Sequence, residues 1–345
     1  MKKSKNLFRN GPSSDITLSP EHGGPVLCMD VRNELVVTGS TDHGLRVYSL
    51  STGKQIKELF SKNYGHTEWV TSCTILNDSR IISGGMDSNI CIWDSKGVRC
   101  KFIREHTGSI SKIISDDEIF LSSSYDSSIR IYDINSEVCL ATLKGIHKGP
   151  ICDFAWRNSL CVSGGRDGSV CIWDINTQKC IFSKNLHAGN VNKILLHSLE
   201  NSNLIITAGV NDGLINFLDM RQPDNILSSR IHKGAINFLQ SNNQNLVFSG
   251  SSDKQIKIID ISNNFKEVGS MKTTDSILCG EISDDLIFVG CQDGNLLCYD
   301  ANSSECLFGY GCESQGGLKN IKVLSEKNKI VTSGDSGQSL QLLFD

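Results

Sequence analysis

Short apolar runs separated by turn residues recur along the whole chain, and nowhere do they settle into the three-to-four spacing of an amphipathic helix. One segment shows the pattern plainly. Its runs extend from Val70 to Leu76, Arg80 to Ser83, Asn89 to Trp93 and Val98 to Ile103, divided by Asn, Asp, Ser and Gly. Runs of this length, rich in Val, Ile, Phe and Cys and bounded by turn formers, predict four β-strands to a unit. An aspartate in the turn before the third run falls at Asp42, Asp87, Asp126, Asp167, Asp212, Asp253 and Asp293. Four strands repeated at a spacing of roughly forty residues predict blades arranged in a ring.

The clearest copies of the third strand are SGGMDSNICIWD, ending at Asp94, and SGGRDGSVCIWD, ending at Asp174. A His before the first strand, a Ser or Thr in the second, the turn Asp and a closing Trp-Asp together resemble the WD-repeat family, from about Ile16 to the C-terminus. The resemblance implies that His66, Ser83, Asp87 and Trp93 form one buried hydrogen-bonded chain, and His147, Ser163, Asp167 and Trp173 another. The chemistry is consistent, because a buried carboxylate must be paired and an imidazole N–H can do it. A Ser-His-Asp set that recurs in several units belongs to the framework, so no catalytic residue and no enzyme activity is expected. The set decays along the chain: Leu218 and Ile259 stand in the Trp position, and the seventh unit has no His.

Seven third strands are evident, and KIVTSGDSGQSLQLLFD supplies an eighth that keeps the apolar runs. The fold expected is all-β, a single propeller of four-stranded antiparallel blades. Eight blades are favoured, with seven the alternative if the last copy is an irregular extension. The eighth lacks a fourth strand after it, and Ile16 to Ser19 is the expected replacement, closing the ring and covering an edge. Residues 1–11 are expected to be a flexible tail and residues 12–345 the propeller.

Composition narrows the function. The net charge of −4, with 34 basic against 38 acidic residues, offers no global basic excess for nucleic acid. No stretch has the continuous apolar length of a membrane span and no secretory signal opens the chain, so an intracellular, cytoplasmic protein is expected, with the nucleus also open. Fourteen cysteines without a CxxC pair read as reduced, packed side chains. Cys91 with Cys100, Cys171 with Cys180, and Cys298 with Cys306 flank tight hairpins, and a redox role for them stays open beside packing. No spacing suits zinc, and neither a metal nor a cofactor is expected.

The family resemblance implies that partners dock on the face carrying the turns before the first strand and after the second. The residues just before the turn Asp and just before the first strand project there. Trp69, Met86, Tyr125 and Arg166 occupy such positions on blades two to four, and these residue types dominate protein interfaces. They are the candidate protein-binding site. Leu27, Thr71, Ser111, Cys152, Asn192 and Asn237, just after the first apolar position, include no Arg, so a phosphate-reading surface is not expected. Asp219-Met220-Arg221 resembles, in degenerate form, the box by which some WD-repeat proteins join a cullin-type ubiquitin ligase. His43 and His197 read as surface residues. The expectation is a non-enzymatic scaffold, monomeric alone, that binds proteins or peptides within a larger complex.

Overall fold

The computed structural model describes residues 7–60, 63–96, 99–116, 118–197, 203–222, 224–242, 245–313 and 315–345. Within them are eight four-stranded antiparallel sheets and two short 3-10 turns. The sheets are the eight blades of a propeller. Blade two runs Val70–Ile75, Ile81–Gly85, Ile90–Trp93 and Cys100–Ile103, each strand pairing with the one before it. Val98, the expected start of its fourth strand, lies outside the described residues.

The ring closes between the chain's two ends. Blade eight takes Leu318–Leu324, Lys329–Gly334 and Ser339–Leu343 from the C-terminus, and Ser14–Thr17 adds its outer strand. Ser14 pairs with Leu343 and Thr17 with Leu340. This strand starts two residues before the expected Ile16. Ser19 is not part of it, because its backbone turns to blade one, donating to Gly53 C=O at 3.1 Å and accepting from Gln55 N–H at 3.0 Å.

Alternating strand residues point to opposite faces of a blade, and each face buries its apolar side chains against the neighbouring blade. Leu121, Ile129 and Ile131 of blade three thus share a cluster with Cys161, Cys171 and Trp173 of blade four. Along the inner strands, polar side chains stitch adjacent blades together. Asp30, Ser72, Asp153, Gln240 and Glu281 each accept a backbone N–H of the next blade, at 2.8–2.9 Å. Pairing of this kind satisfies groups that would otherwise be orphaned in a close-packed centre.

Exposed apolar residues on the outer strands have a local cause. In five blades the fourth strand carries one extra residue opposite the third, and Ile56, Leu140, Ile181 and Val268 are four of these extras. A bulged residue is unpaired and turned outward, one per blade, so these positions do not form a patch.

The segment expected as a flexible tail is ordered in its last part; residues 1–6 lie outside the described residues. Leu7–Asn10 forms a 3-10 turn whose Phe8 is buried against Phe288 and Phe344, at ring centroid distances of 5.8 and 4.7 Å. Arg9 forms an ion pair with Asp300. Phe8→Ala is expected to destabilise the fold by about 3 kcal/mol, the usual loss for an aromatic removed from a core. Urea titration checks this; an unchanged midpoint would contradict docking of the turn.

Candidate functional site

Each blade carries, ahead of its third strand, a turn that fixes one face of the ring. The turn Asp accepts the backbone N–H two residues on, as Asp87 does from Asn89 at 3.1 Å and Asp126 from Ser128 at 3.0 Å. The residue between them has positive φ in all eight blades, including His43 (+70°), Ser88 (+65°) and Gly168 (+79°). Glycine is required at 168 on a second count, since a Cβ there would lie 2.1 Å from the carbonyl oxygen of His187.

The same Asp holds the preceding loop. His66 Nδ1 is 3.0 Å from Asp87, its Nε2 is 2.9 Å from Ser83 Oγ, and Trp93 Nε1–H donates to Ser83 Oγ at 2.8 Å. With Nδ1–H donating to the carboxylate, Ser83 O–H donates to Nε2 and its oxygen is free to accept from the indole. Equivalent His, Ser/Thr and Asp sets occur at His22, Thr38, Asp42; His106, Ser122, Asp126; His187, Thr207, Asp212; and His232, Ser249, Asp253.

Blade four departs from the expected chain. His147 reaches Ser163 at 2.7 Å, and Trp173 Nε1–H donates to that Ser, but His147 Nδ1 pairs with Ser169 Oγ at 2.8 Å. Asp167 stands 3.6 Å from the ring and accepts from Ser169 O–H at 2.6 Å. The hydroxyl two residues after the Asp is close enough to bridge, but the equivalent Ser128 of blade three leaves His106 paired directly with Asp126 at 2.7 Å, so the residue type alone does not foretell it.

In blade eight Glu313 takes the place of the histidine and Ser336 that of the turn Asp. Ser336 N–H donates to the Glu313 carboxylate at 3.1 Å. Burial pushes the Glu313 carboxyl above its ordinary range, against its bonds to Ser336.

Electrostatics agree with a structural role. Burial opposes ionisation of Asp87, but the bond and charge of His66 and the N–H of Thr67 hold it at about 2. Burial pushes His147, His187 and His232 below the ordinary imidazole range, against the pull of their aspartates.

The loops so fixed carry the four candidate binding residues. Trp69 is 44% exposed, Met86 36% and Tyr125 47%, and Arg166 is also exposed. Met86 N–H donates to Trp69 C=O at 2.8 Å, Ser109 O–H to Met86 C=O at 3.1 Å, and Tyr125 N–H to Ser109 C=O at 2.8 Å. These bonds join Trp69, Met86 and Tyr125 across the seam between blades two and three. Arg166 is one turn further on, its N–H donating to Pro150 C=O at 2.8 Å, while Ser127 O–H donates to Gly149 C=O at 2.8 Å.

Other positions singled out by sequence serve the framework. Thr71, Asn192 and Asn237 donate to the first-strand carbonyls of Ile110, Ile236 and Ile277, at 2.6–2.9 Å. Arg221 pairs with Asp219 within its own turn. His197 is buried, contrary to expectation, with Nδ1 3.1 Å from Ser241 Oγ of the next blade. All fourteen cysteines are free; Cys100 lies opposite Trp93 and Cys91 opposite Phe102, and burial raises Cys171 and Cys298 to about 12. Among the described residues, no group of three or more His, Cys, Asp or Glu is placed to hold a metal ion. Among the described residues, no helix is long and apolar enough to cross a membrane.

Comparisons with known proteins agree with this geometry. The family model described as WD domain, G-beta repeat, matches residues 53–94, 97–133, 137–174 and 225–260. The COMPASS component SWD3 of Saccharomyces cerevisiae is 32% identical over 134 residues, 37% of this chain and 41% of that protein. The ribosome biogenesis protein YTM1 of Eremothecium gossypii is 31% identical over 159 residues, 37% of this chain and 35% of that protein. The chain thus matches less than half the length of either relative. The crystal structure of Chaetomium thermophilum Sqt1 bound to the N-terminus of ribosomal protein L10 superposes with a TM-score of 0.81 at 17% identity, covering 93% of this chain and 97% of that one. That likeness is one of fold.

The lowered histidines set a pH dependence. Unfolded, these imidazoles take up protons near pH 6.5, whereas in the fold they stay neutral to lower pH, so acidification favours the unfolded chain. Thermal midpoints should be flat above about pH 7 and fall below about pH 6.5, each histidine adding up to about 1.4 kcal/mol per pH unit. A midpoint that rises on acidification would contradict histidines held neutral by burial.

Proposed function

We propose, for a chain that is a WD-repeat β-propeller, that it acts as a non-enzymatic scaffold and binds a protein or peptide partner on the turn-bearing face of blades two to four. The observation that supports this most is the group of exposed Trp69, Met86 and Tyr125 beside exposed Arg166, all on turns held by the buried hydrogen-bond network. Large aromatic side chains bring contact area with little rotamer entropy to lose, and Met adapts to varied apolar surfaces. Arg166 adds a forked donor for a carboxylate or backbone carbonyl. Because the turns are already fixed, a partner need not order them on binding, which keeps the cost of association low.

Relatives lend support of a coarser kind: SWD3 is named as a component of COMPASS, and Sqt1 is seen bound to the N-terminus of ribosomal protein L10. Fourteen unpaired cysteines favour a reducing, cytoplasmic setting. A role as receptor for a cullin-type ligase through Arg221 has less support, since that guanidinium is engaged by Asp219.

Affinity purification from native lysate with the wild type and a Trp69→Ala/Tyr125→Ala double variant tests the proposal. Both side chains are half-exposed, so circular dichroism should find the variant folded, and binding of its specific partners should drop at least about tenfold, the loss expected for two central anchors. Retention of the same partners at equal yield would move the binding surface elsewhere.

A further inference from the structure

The eight seams between blades are not alike. In the third strand, the residues three and five positions after the turn Asp face the next blade. They are Leu45 and Val47 in blade one, Ile129 and Ile131 in blade three, Leu296 and Cys298 in blade seven, and apolar in the other blades through to the seventh. In blade eight the same positions are Ser339 and Gln341. They are 2% and 0% exposed, and among the described residues Ser339 Oγ and both amide atoms of Gln341 find no hydrogen-bond partner. The cluster at this seam, built on Leu18, Val36, Tyr48, Leu50 and Val331, has the fewest buried members of the eight.

The opposite face of blade eight is packed like the rest. Leu318, Ile330, Leu340 and Leu342 join Phe288 and Leu296 of blade seven, with Phe8 and Phe344 added. Blade eight is therefore firmly joined to blade seven and weakly to blade one. Polar bonds cross the weak seam at its margins, from Asn320 to Val26 C=O at 3.3 Å and Lys329 to Leu50 C=O at 3.1 Å, with an ion pair between Lys327 and Glu34.

We propose that the seam between blades eight and one is the joint at which the ring opens. Buried polar atoms without partners lose their hydration and gain nothing for it, whereas opening the seam returns them to water. Every other seam buries apolar side chains at the same two positions and gains by staying shut. Local opening follows the region of lowest stability in a fold, and this is where the seams' chemistry puts it.

Matched backbone amides report the difference. His22 N–H donates across this seam to Gly337 C=O at 3.1 Å, as His187 N–H does to Gly168 across the seam between blades four and five, at 3.2 Å, and His232 N–H to Gly213 across the next, at 3.3 Å. Residue-resolved hydrogen exchange on the full chain should find the His22 amide exchanging at least about tenfold faster than the other two, after correction for intrinsic rates. A Ser339→Val/Gln341→Ile variant, which restores the apolar pair, should slow His22 to their level and leave theirs unchanged. Equal protection of the three amides in the wild type would overturn the proposal, and that comparison stands even if the double variant fails to fold. A folded variant in which His22 exchanges as fast as before would overturn it too.

Discussion

A blade of this chain has two apolar faces and can bury them only against other blades, so the sheets must come full circle before any one of them is stable. All the rest follows from that closure. Ser14–Thr17 crosses from the start of the chain to pair with Ser339–Leu343 near its end, and an edge that would otherwise stand open becomes the third strand of a complete blade. Phe8 then seals the outer side of the same blade against Phe288 and Phe344. Inner-strand side chains such as Asp30 and Asp153 bind each blade to the next, and the His-Asp turns fix the loops on one face.

Much of this was legible in the sequence because it repeats. A turn Asp recurs every forty or so residues in seven units, with a His ahead of it in six and an apolar third strand after it in all seven, and the apolar runs of a last, degenerate copy complete the eight-bladed count with its terminal closing strand. What could not be read depends on neighbours distant in sequence. The burial of His197 depends on Ser241, forty-four positions away. Ser169 comes between His147 and Asp167 by a matter of geometry that no repeat pattern encodes. Glu313 escaped notice as the occupant of a histidine slot because the motif is lost there, and the packing alone reveals the equivalence.

The candidate surface was legible in part. Sequence position put Trp69, Met86, Tyr125 and Arg166 on the turns of one face, and the structure has all four exposed there. The hydrogen bonds that run from Trp69 through Met86 and Ser109 to Tyr125 include one, from Ser109 to Met86, that was not foreseeable, since it depends on how two blades meet. They convert three residues on separate loops into one fixed group. Rigidity of this kind would suit the recognition role proposed for this face, because the turns that carry the exposed side chains are already ordered.

The most direct test of that account is a photo-crosslinking amino acid introduced in place of Tyr125 and, in a separate protein, in place of Gln292, the equivalent exposed position on blade seven. The account predicts a discrete crosslinked partner from position 125 and none from position 292. The same partner captured at both positions, or at 292 alone, would contradict a binding surface on blades two to four.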